Sequence, residues 1–185
     1  MDAPLVNLRP VEADDLAWLA EMTCDRRLVG DHNWAGEPRD FDEVLAESRE
    51  RFEGDGLLGE ATGSLIIEHV DGTRIGEVSW RSTQWGPSAK SRCPEFGIAL
   101  RPEFRGRGYG TTAQKLLIDY LFTRDPDLHR VQSDTAADNG PEQGALSKAG
   151  MTVEGVVRNA EYRDGTYHDH VLFSILRDEW QAGRG

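Results

Sequence analysis

The chain has 185 residues, with 33 acidic and 21 basic side chains and a formal net charge of −12 at pH 7. This length suits one domain, which we expect over residues 1–180 with residues 181–185 as a loose tail. The acidic balance argues against nucleic acid or an anionic membrane as a general partner, because both attract basic surfaces. A cationic substrate is compatible with it, although an acidic surface also serves solubility alone.

Cysteine usage and hydropathy bear on the compartment. Cys24 and Cys93 have no neighbouring cysteine or histidine at the spacing of metal ligands. No run of about 20 apolar residues occurs, and residues 1–4 lack the basic and apolar segments of a signal peptide. The sequence therefore predicts a cytoplasmic protein with reduced thiols.

The N-terminal third predicts a short strand followed by two helices. Acidic residues in the first turn favour the first helix, and Asp40 is a suitable N-cap for the second. The expected ranges are 5–8 for the strand, 13–22 for the first helix, and 41 to the glycine at position 54 for the second. The polar loop between the helices, residues 30–38, contains His32 and Trp34, which are either substrate contacts or ordinary loop side chains.

From residue 62 the apolar period changes from 3.6 to 2, which indicates strands. An Asp71-Gly72 turn between two apolar runs predicts a hairpin, and a third strand follows a loop rich in serine, glycine and proline. A helix then joins this meander to a strand that we expect to lie parallel to it. The remaining expected elements are strands at 64–70, 74–80, 95–101, 128–133, 151–161 and 167–176, and helices at 111–122 and 139–150. The last strand is apolar on both faces, so we expect it to be central in the sheet.

A glycine-rich segment between the strand at 95–101 and the helix at 111–122 is the strongest local signal. Its three glycines allow a sharp turn and leave consecutive backbone N–H groups pointing at one spot at the head of a helix. Its two arginines add positive charge, which favours a phosphate or pyrophosphate guest. The same residues also suit a plain surface turn. They are Arg105, Gly106, Arg107, Gly108, Tyr109 and Gly110.

Two common phosphate motifs fit this segment poorly. A P-loop requires a lysine before Thr111, and glycine stands there instead. A dinucleotide fingerprint requires an acidic residue about 20 positions on, which Asp134 could supply, but the final spaced glycine is missing and the segment lies past mid-chain.

The pattern Arg105-x-x-Gly108-x-Gly110 between a strand and a helix resembles the acetyl-CoA pyrophosphate loop of the GNAT N-acetyltransferases. The order of expected elements is also similar to that family over nearly the whole chain. Two further segments resemble its Rim-type branch, the ribosomal-protein N-terminal acetyltransferase-like enzymes. They are Asn139 with Lys148-Ala149-Gly150-Met151 and the following Glu154-Gly155 and Arg158, and residues 159–169.

This resemblance implies a mixed α/β fold with a central, mostly antiparallel sheet of about seven strands. About four helices flank it, and it splays between the fourth and fifth strands. It implies acetyl-CoA as co-substrate, no metal, and direct transfer of the acetyl group to a primary amine of a small molecule or a protein N-terminus. A homodimer is plausible for the branch. The implied cofactor residues are Ile98, Ala99, Leu100, residues 105–110 given above, Thr111, Asn139 and Lys148.

Three carboxylates are candidates for acid–base chemistry. A base must remove a proton from the ammonium group of the substrate, and the resemblance points to Glu95 or Glu161, although either also suits a surface position at a strand end. Glu142 stands where the branch usually has a serine proposed to protonate the leaving thiolate. It can act as the acid near neutral pH only if its pKa is raised, and solvent could serve instead.

Three alternatives stay open on the sequence alone. The departure at Glu142 is compatible with a non-catalytic acyl-CoA-binding GNAT module, and a longer acyl donor is not distinguished from acetyl. The segment His168-Asp169-His170 places two histidines on one face of a strand, where they either bind a metal or face solvent or substrate. Because no further ligands are visible, we favour the second interpretation.

Overall fold

The structure, a computed structural model, describes residues 5–34 and 36–183. Residues 1–4, which entered the signal-peptide argument, and residues 184–185 of the expected tail lie outside the described residues. The strands are β1 (Val6–Pro10), β2 (Thr62–His69), β3 (Arg74–Gln84), β4 (Arg92–Leu100), β5 (Arg130–Ala136), β6 (Thr152–Arg163) and β7 (Thr166–Leu176). The helices are α1 (Leu16–Cys24), α2 (Arg26–Val29), α3 (Phe41–Asp55), α4 (Tyr109–Arg124), α5 (Gly140–Lys148) and α6 (Arg177–Ala182).

Seven strands form one sheet in the order β1-β2-β3-β4-β5-β7-β6. All neighbouring pairs are antiparallel except β4 and β5, which run parallel and share one residue pair, Glu95 with Gln132. Beyond that pair β4 and β5 diverge, so the sheet opens where the cofactor strand was expected to splay. The predicted sheet and its splay are confirmed, and β7 is an interior strand, paired with β5 on one side and with the edge strand β6 on the other.

Helices cover both faces of the sheet because β2 is apolar on both of its faces. Leu65 and Ile67 pack into the larger core with α4 and α5, whereas Ile66, between them, packs into a second core with α1 and α3. All three side chains are almost fully buried. Burial of this kind stabilises the fold by about 1.5–3 kcal/mol for each large aliphatic side chain.

Two short helices were not predicted. Helix α2 begins after Asp25, whose carboxylate accepts a hydrogen bond from the backbone N–H of Arg27. Helix α6 follows β7 directly and stacks the ring of Trp180 on Phe122, with 5.1 Å between ring centroids. It extends to Ala182, so the part of the expected tail that the structure describes begins in a helix.

Within residues 5–34 and 36–183, none of the helices combines the length and the apolar character needed to span a membrane.

Candidate active site

Two left-handed glycines form the predicted anion cradle at the start of α4. Gly106 has φ 71° and Gly108, the N-cap residue, has φ 84°, a region that residues with a Cβ atom rarely adopt. The first N–H groups of an α-helix have no partner within the helix, and the helix dipole adds positive potential there. The start of α4 therefore presents backbone N–H donors, and the binding of an anion by them stays a prediction.

Arg105 has a structural function in the cradle. Its Nε donates to the carbonyl of Leu100 at 2.8 Å, and its Nη2 donates to the carbonyl of Leu28 at 2.5 Å. A Cβ atom on Gly30 would lie 3.0 Å from the guanidinium, so that position must stay a glycine or shift. Arg105 thus fastens the end of α2 to the end of β4. Arg107 is also exposed, but it makes no hydrogen bond or ion pair with another residue that the structure describes.

A cavity of about 620 Å³ extends from the cradle between the end of β4, the loop after α2 and the N-terminus of α5. We call it the cofactor cleft. Its lining includes nine of the twelve expected cofactor residues together with Glu142. They are Ile98, Leu100, Arg105, Gly106, Gly108, Gly110, Thr111, Asn139, Glu142 and Lys148.

Three of the expected cofactor residues do not line this cleft. The carbonyl of Ala99 is directed at β3, since a Cβ atom on Gly76 would lie 2.3 Å from its oxygen. The ring of Tyr109 packs against His69, with 5.6 Å between ring centroids. Arg107 is the third. Any contact of Ala99 and Tyr109 with a cofactor would therefore differ from the one that the resemblance implied.

The backbone of β4 presents hydrogen-bonding groups to the opening in the sheet. Ser133 Oγ on β5 donates to the carbonyl of Phe96 at 2.9 Å, and Asn33 Nδ2 donates to the carbonyl of Ile98 at 3.0 Å. Alternate residues of a strand direct their backbone groups to the same side. The N–H groups of Ile98 and Leu100 therefore face the cofactor cleft, and no neighbouring strand pairs with them in the described part of the sheet.

Glu142 projects into the cofactor cleft from the first turn of α5. Gln114 Nε2 on α4 donates to its Oε1 at 2.6 Å. Burial raises the pKa of Glu142 to about 7, although the hydrogen bond from Gln114 opposes the shift. The carboxyl group thus meets the condition for a proton donor near neutral pH.

A second cavity of about 500 Å³ adjoins the cofactor cleft and shares His32 and Asn33 with it. We call it the acceptor cavity. Three carboxylates line it, Glu77, Glu95 and Asp134, together with Arg51, Arg81 and His170 among its charged or titratable groups. His32, which the sequence left between two interpretations, is therefore placed at the boundary of both cavities.

Glu77 is the least compensated of these carboxylates. Ser64 Oγ donates to its Oε1 at 2.6 Å, and it makes no ion pair with any residue that the structure describes. Desolvation raises the pKa of Glu77, while the hydrogen bond from Ser64 and the more distant charge of Arg51 oppose the shift. A cation that entered the cavity would be attracted to this carboxylate.

Glu95 lines the acceptor cavity next to the opening in the sheet. Its Oε1 forms an ion pair with Arg81, and its Oε2 accepts a hydrogen bond from Gln132 Nε2 at 2.7 Å. The side chain of Arg81 is 71% exposed, so this ion pair is held weakly. Glu95 is therefore fixed mainly by Gln132 and lies within reach of an amine in the cavity.

Glu161 lines neither cavity within the described residues and lies behind His170. Its Oε2 is 3.2 Å from His170 Nε2, while His170 Nδ1 contacts Asp134. Burial lowers the pKa of His170, but the hydrogen bonds to Asp134 and Glu161 outweigh this effect and the pKa is raised. His170 thus bridges two carboxylates, and both favour its protonated form.

The two histidines of the His168-Asp169-His170 segment have different contacts. His168 Nε2 lies 3.3 Å from the carbonyl oxygen of Arg163, and Asp169 accepts a hydrogen bond from the backbone N–H of Asn159 at 2.8 Å. In the part of the chain that the structure describes, no group of three or more His, Cys, Asp or Glu side chains is arranged to hold a metal ion.

Sequence reasoning missed Glu77, Gln114 and Asn33 as site residues. Glu77 and Gln114 are polar residues inside otherwise apolar periodic segments, which is a usable signal for buried function. Asn33 gave no such signal, because it lies in a polar loop and meets β4 only in the folded chain.

Comparison with known proteins agrees with this geometry. The family described as "Acetyltransferase (GNAT) domain" matches residues 6–152. A putative ribosomal N-acetyltransferase, YdaF of Bacillus subtilis (strain 168), is 32% identical over 182 residues, which cover 96% of this chain and 94% of that protein. Spermidine N(1)-acetyltransferase of Escherichia coli (strain K12) is 25% identical over 177 residues, which cover 96% of this chain and 89% of that protein.

Solved structures are similar over the same extent. Spermidine N-acetyltransferase from Vibrio cholerae, in a crystal structure with CoA and spermine, has a TM-score of 0.80 and 25% sequence identity. The similarity covers 97% of this chain and 99% of that one. The chain therefore belongs to the GNAT acetyltransferase family and is an acetyl-CoA-dependent N-acetyltransferase.

Proposed function

We propose that the protein acetylates a primary amine of a small molecule that carries a further positive charge. The observation that carries this proposal is the carboxyl group of Glu77 in the acceptor cavity, which makes no ion pair with a described residue, with Glu95 and Asp134 lining the same cavity. Burying a charge without a partner is costly, and a cationic substrate that pairs with Glu77 would remove that cost. The same pairing would make the enzyme specific for cationic substrates. The spermidine acetyltransferases among the relatives support the same substrate class.

The donor occupies the cofactor cleft in this proposal. The amide carbonyls of the pantetheine arm accept hydrogen bonds from the free backbone N–H groups of Ile98 and Leu100, as the carbonyls of an added strand would. The pyrophosphate accepts hydrogen bonds from the backbone N–H groups at the start of α4, between Gly108 and Thr111. Lys148 lines the same cleft and supplies a positive charge. This arrangement brings the thioester to the opening between β4 and β5.

Glu95 is our choice for the general base. The substrate enters as an ammonium and must lose a proton before its nitrogen can attack the thioester carbonyl. Glu95 lines the acceptor cavity directly, whereas Glu161 contacts it only through His170. We therefore assign Glu161 to holding His170, and so Asp134, in place.

Glu142 is the proposed general acid. As the carbon–sulfur bond breaks, the thiolate of CoA takes the proton from the Glu142 carboxyl group. The raised pKa keeps much of the group protonated near pH 7. A thiolate is also a tolerable leaving group without help, so the contribution of Glu142 should lie at the low end of the range for acid–base catalysis.

A protein N-terminus is the second candidate acceptor. The 32% identity with a putative ribosomal N-acetyltransferase over most of both chains favours it. An N-terminal amine would enter the same acceptor cavity. The two candidate acceptors therefore differ in the part of the molecule, beyond the reacting amine, that the cavity would have to recognise.

Release of free CoA, followed with a thiol reagent, tests the proposed function. The assay compares a polyamine, a monoamine of equal length, an aminoglycoside and a peptide with a free N-terminus. We expect release well above background with the polyamine. Release with the peptide alone would favour the second candidate, and a flat trace with every amine would favour the non-catalytic acyl-CoA-binding module and contradict the proposal.

We further propose a single domain over residues 1–180, a cytoplasmic location and a homodimer. The one continuous sheet supports the single domain. Cys24 and Cys93 are both free thiols, which suits a reducing compartment. The edge strand β6 exposes Val153, Val156 and Val157, a feature that an edge strand covered by a second copy would explain. Analytical ultracentrifugation tests the homodimer, with a dimer expected for the wild type and a monomer for Val156→Lys. A monomeric wild type would contradict the proposal.

A further inference from the structure

Gln114 is a fully buried polar residue that belongs to neither cavity wall. It lies on α4 with 0% exposure, just after the cradle. Its Nε2 donates to Glu142 Oε1 at 2.6 Å, whereas its own Oε1 has no hydrogen-bond partner among the described residues. A buried amide oxygen without a donor is destabilising and calls for an explanation.

The explanation lies in the two forms that a general acid takes in each turnover. An ionised Glu142 carboxylate is stabilised by an N–H donor, whereas a protonated carboxyl group needs an acceptor for its O–H. A glutamine amide offers both groups on one carbon, and a half-turn about its last bond exchanges them. The unpaired oxygen is then the group that serves the other protonation state.

We propose that Gln114 is a positioning residue that holds Glu142 in both of its protonation states by turning its amide. With the carboxyl protonated, Gln114 Oε1 accepts the O–H of Glu142. When that proton has passed to the sulfur of CoA, Nε2 donates to the resulting carboxylate, which is the arrangement that the structure shows. Solvent returns a proton to Glu142 after CoA leaves, so no other reactant is needed. This inference rests on the acid function proposed for Glu142.

Among the described residues, Gln114 is the side-chain hydrogen-bonding partner of Glu142, and the charged groups nearby do not pair with it. The charged or titratable side chains that line the same cleft are Lys148 on α5, Arg105 in the cradle, and Asp31 and His32 in the loop after α2. None of them makes a hydrogen bond or an ion pair with Glu142 in the described residues. A change at Gln114 should therefore act on the titration of Glu142 directly.

The pH dependence of kcat in Gln114→Met tests the inference. Methionine fills similar space but cannot donate to the carboxylate, so Glu142 should hold its proton to higher pH. We expect the alkaline limb of the profile to move upward by about one pH unit. Leu117→Met, a buried change on the same helix, is the matched control and should leave the limb in place.

The outcomes separate the inference from the function on which it rests. In Glu142→Gln the alkaline limb assigned to Glu142 should vanish. The double variant Glu142→Gln/Gln114→Met should have the same pH profile as Glu142→Gln alone. If Glu142→Gln keeps the limb, the acid function fails. If Glu142→Gln removes the limb but Gln114→Met leaves it unmoved, the positioning function of Gln114 alone is overturned.

A measurement on the wild-type protein does not depend on any variant folding. The side-chain amide signals of Gln114 in a ¹⁵N NMR titration should change with the same midpoint as Glu142, because the amide turns as its partner titrates. Signals of Gln114 that stay constant across that midpoint would overturn the proposal.

Discussion

Replacing Glu142 by glutamine should make the protein more stable at alkaline pH. Glutamine has the same shape and can still accept the hydrogen bond from Gln114 Nε2, but it cannot ionise. In the wild type, burial raises the pKa of Glu142 from 4.5 to about 7, so the ionised form is disfavoured in the folded state. The variant removes that penalty.

The sign and size follow from linkage. A carboxyl whose folded pKa is raised contributes stability that is fully present below its unfolded pKa and is lost as pH rises through its folded pKa. At about 1.36 kcal/mol per pKa unit, the shift of Glu142 corresponds to an upper limit of about 3 kcal/mol. For a chain of this size, that is a difference in Tm of at most about 6–12 °C.

Thermal unfolding at a series of pH values measures this effect. Wild type and Glu142→Gln should have nearly equal Tm at pH 4, diverge between about pH 4.5 and pH 7, and keep a constant difference above about pH 8, with the variant more stable. Glu53→Gln, at an exposed position on α3, is the control and should follow the wild type at every pH. If Glu142→Gln and wild type keep the same difference in Tm from pH 5 to pH 9, Glu142 does not titrate near neutral pH and the acid function loses its basis.

Three further changes test the donor site and the base. Gly108→Val places a β-branched residue at φ 84°, where its Cβ atom would have open space around it. Backbone strain of about 1–2 kcal/mol, rather than a clash, should therefore weaken acetyl-CoA binding. An unchanged affinity by calorimetry would refute this. Arg107→Ala should lower acetyl-CoA affinity modestly and flatten its salt dependence, and a slope equal to that of wild type would exclude an electrostatic contribution. Glu95→Gln should leave acetyl-CoA binding intact and reduce turnover by about 10²–10⁴-fold, with a deficit that shrinks as pH rises. Glu161→Gln should have a smaller effect through His170, and a larger loss than in Glu95→Gln would return the base to β6.

Local signals made the donor side of the site predictable. The left-handed glycines of the cradle, the helix behind it and the parallel strand after that helix each follow from short-range chemistry or from chain connectivity. The cleft consequently contains most of the residues that the sequence singled out. Ala99 was expected in the cleft but does not line it, because alternate residues of a strand direct their backbone groups to opposite neighbours. Only the folded sheet shows which of these residues face the opening.

The amine side was less predictable because strand register decides it. In β6, Val157 pairs with His170 and Glu161 pairs with His168, so three residues stand opposite Asp169 alone. This bulge changes the position of Glu161 relative to the acceptor cavity, and an alternating pattern in the sequence does not reveal it. Glu161 therefore contacts His170 and is absent from the lining of the acceptor cavity, and its function as a base stays a prediction.

Helix α6 and the partners of Glu142 depend on tertiary contacts. The six residues of α6 carry too weak a pattern to predict a helix, and they are held by the packing of Trp180 on Phe122. The raised pKa of Glu142 arises from burial against α4, which the sequence of α5 alone cannot show.

The central claim, that the acceptor cavity selects a cationic amine through Glu77, is tested most directly by comparing kcat/KM for two acceptors. The acceptors are a diamine and a monoamine of equal length, each measured with wild type and with Glu77→Gln. We predict at least about a tenfold preference of the wild type for the diamine, which corresponds to about 1.4 kcal/mol and is reasonable for one buried ionic contact. Glu77→Gln should lose this preference and keep its activity on the monoamine. Equal kcat/KM for both amines in the wild type, or a preference that survives in Glu77→Gln, would contradict the claim.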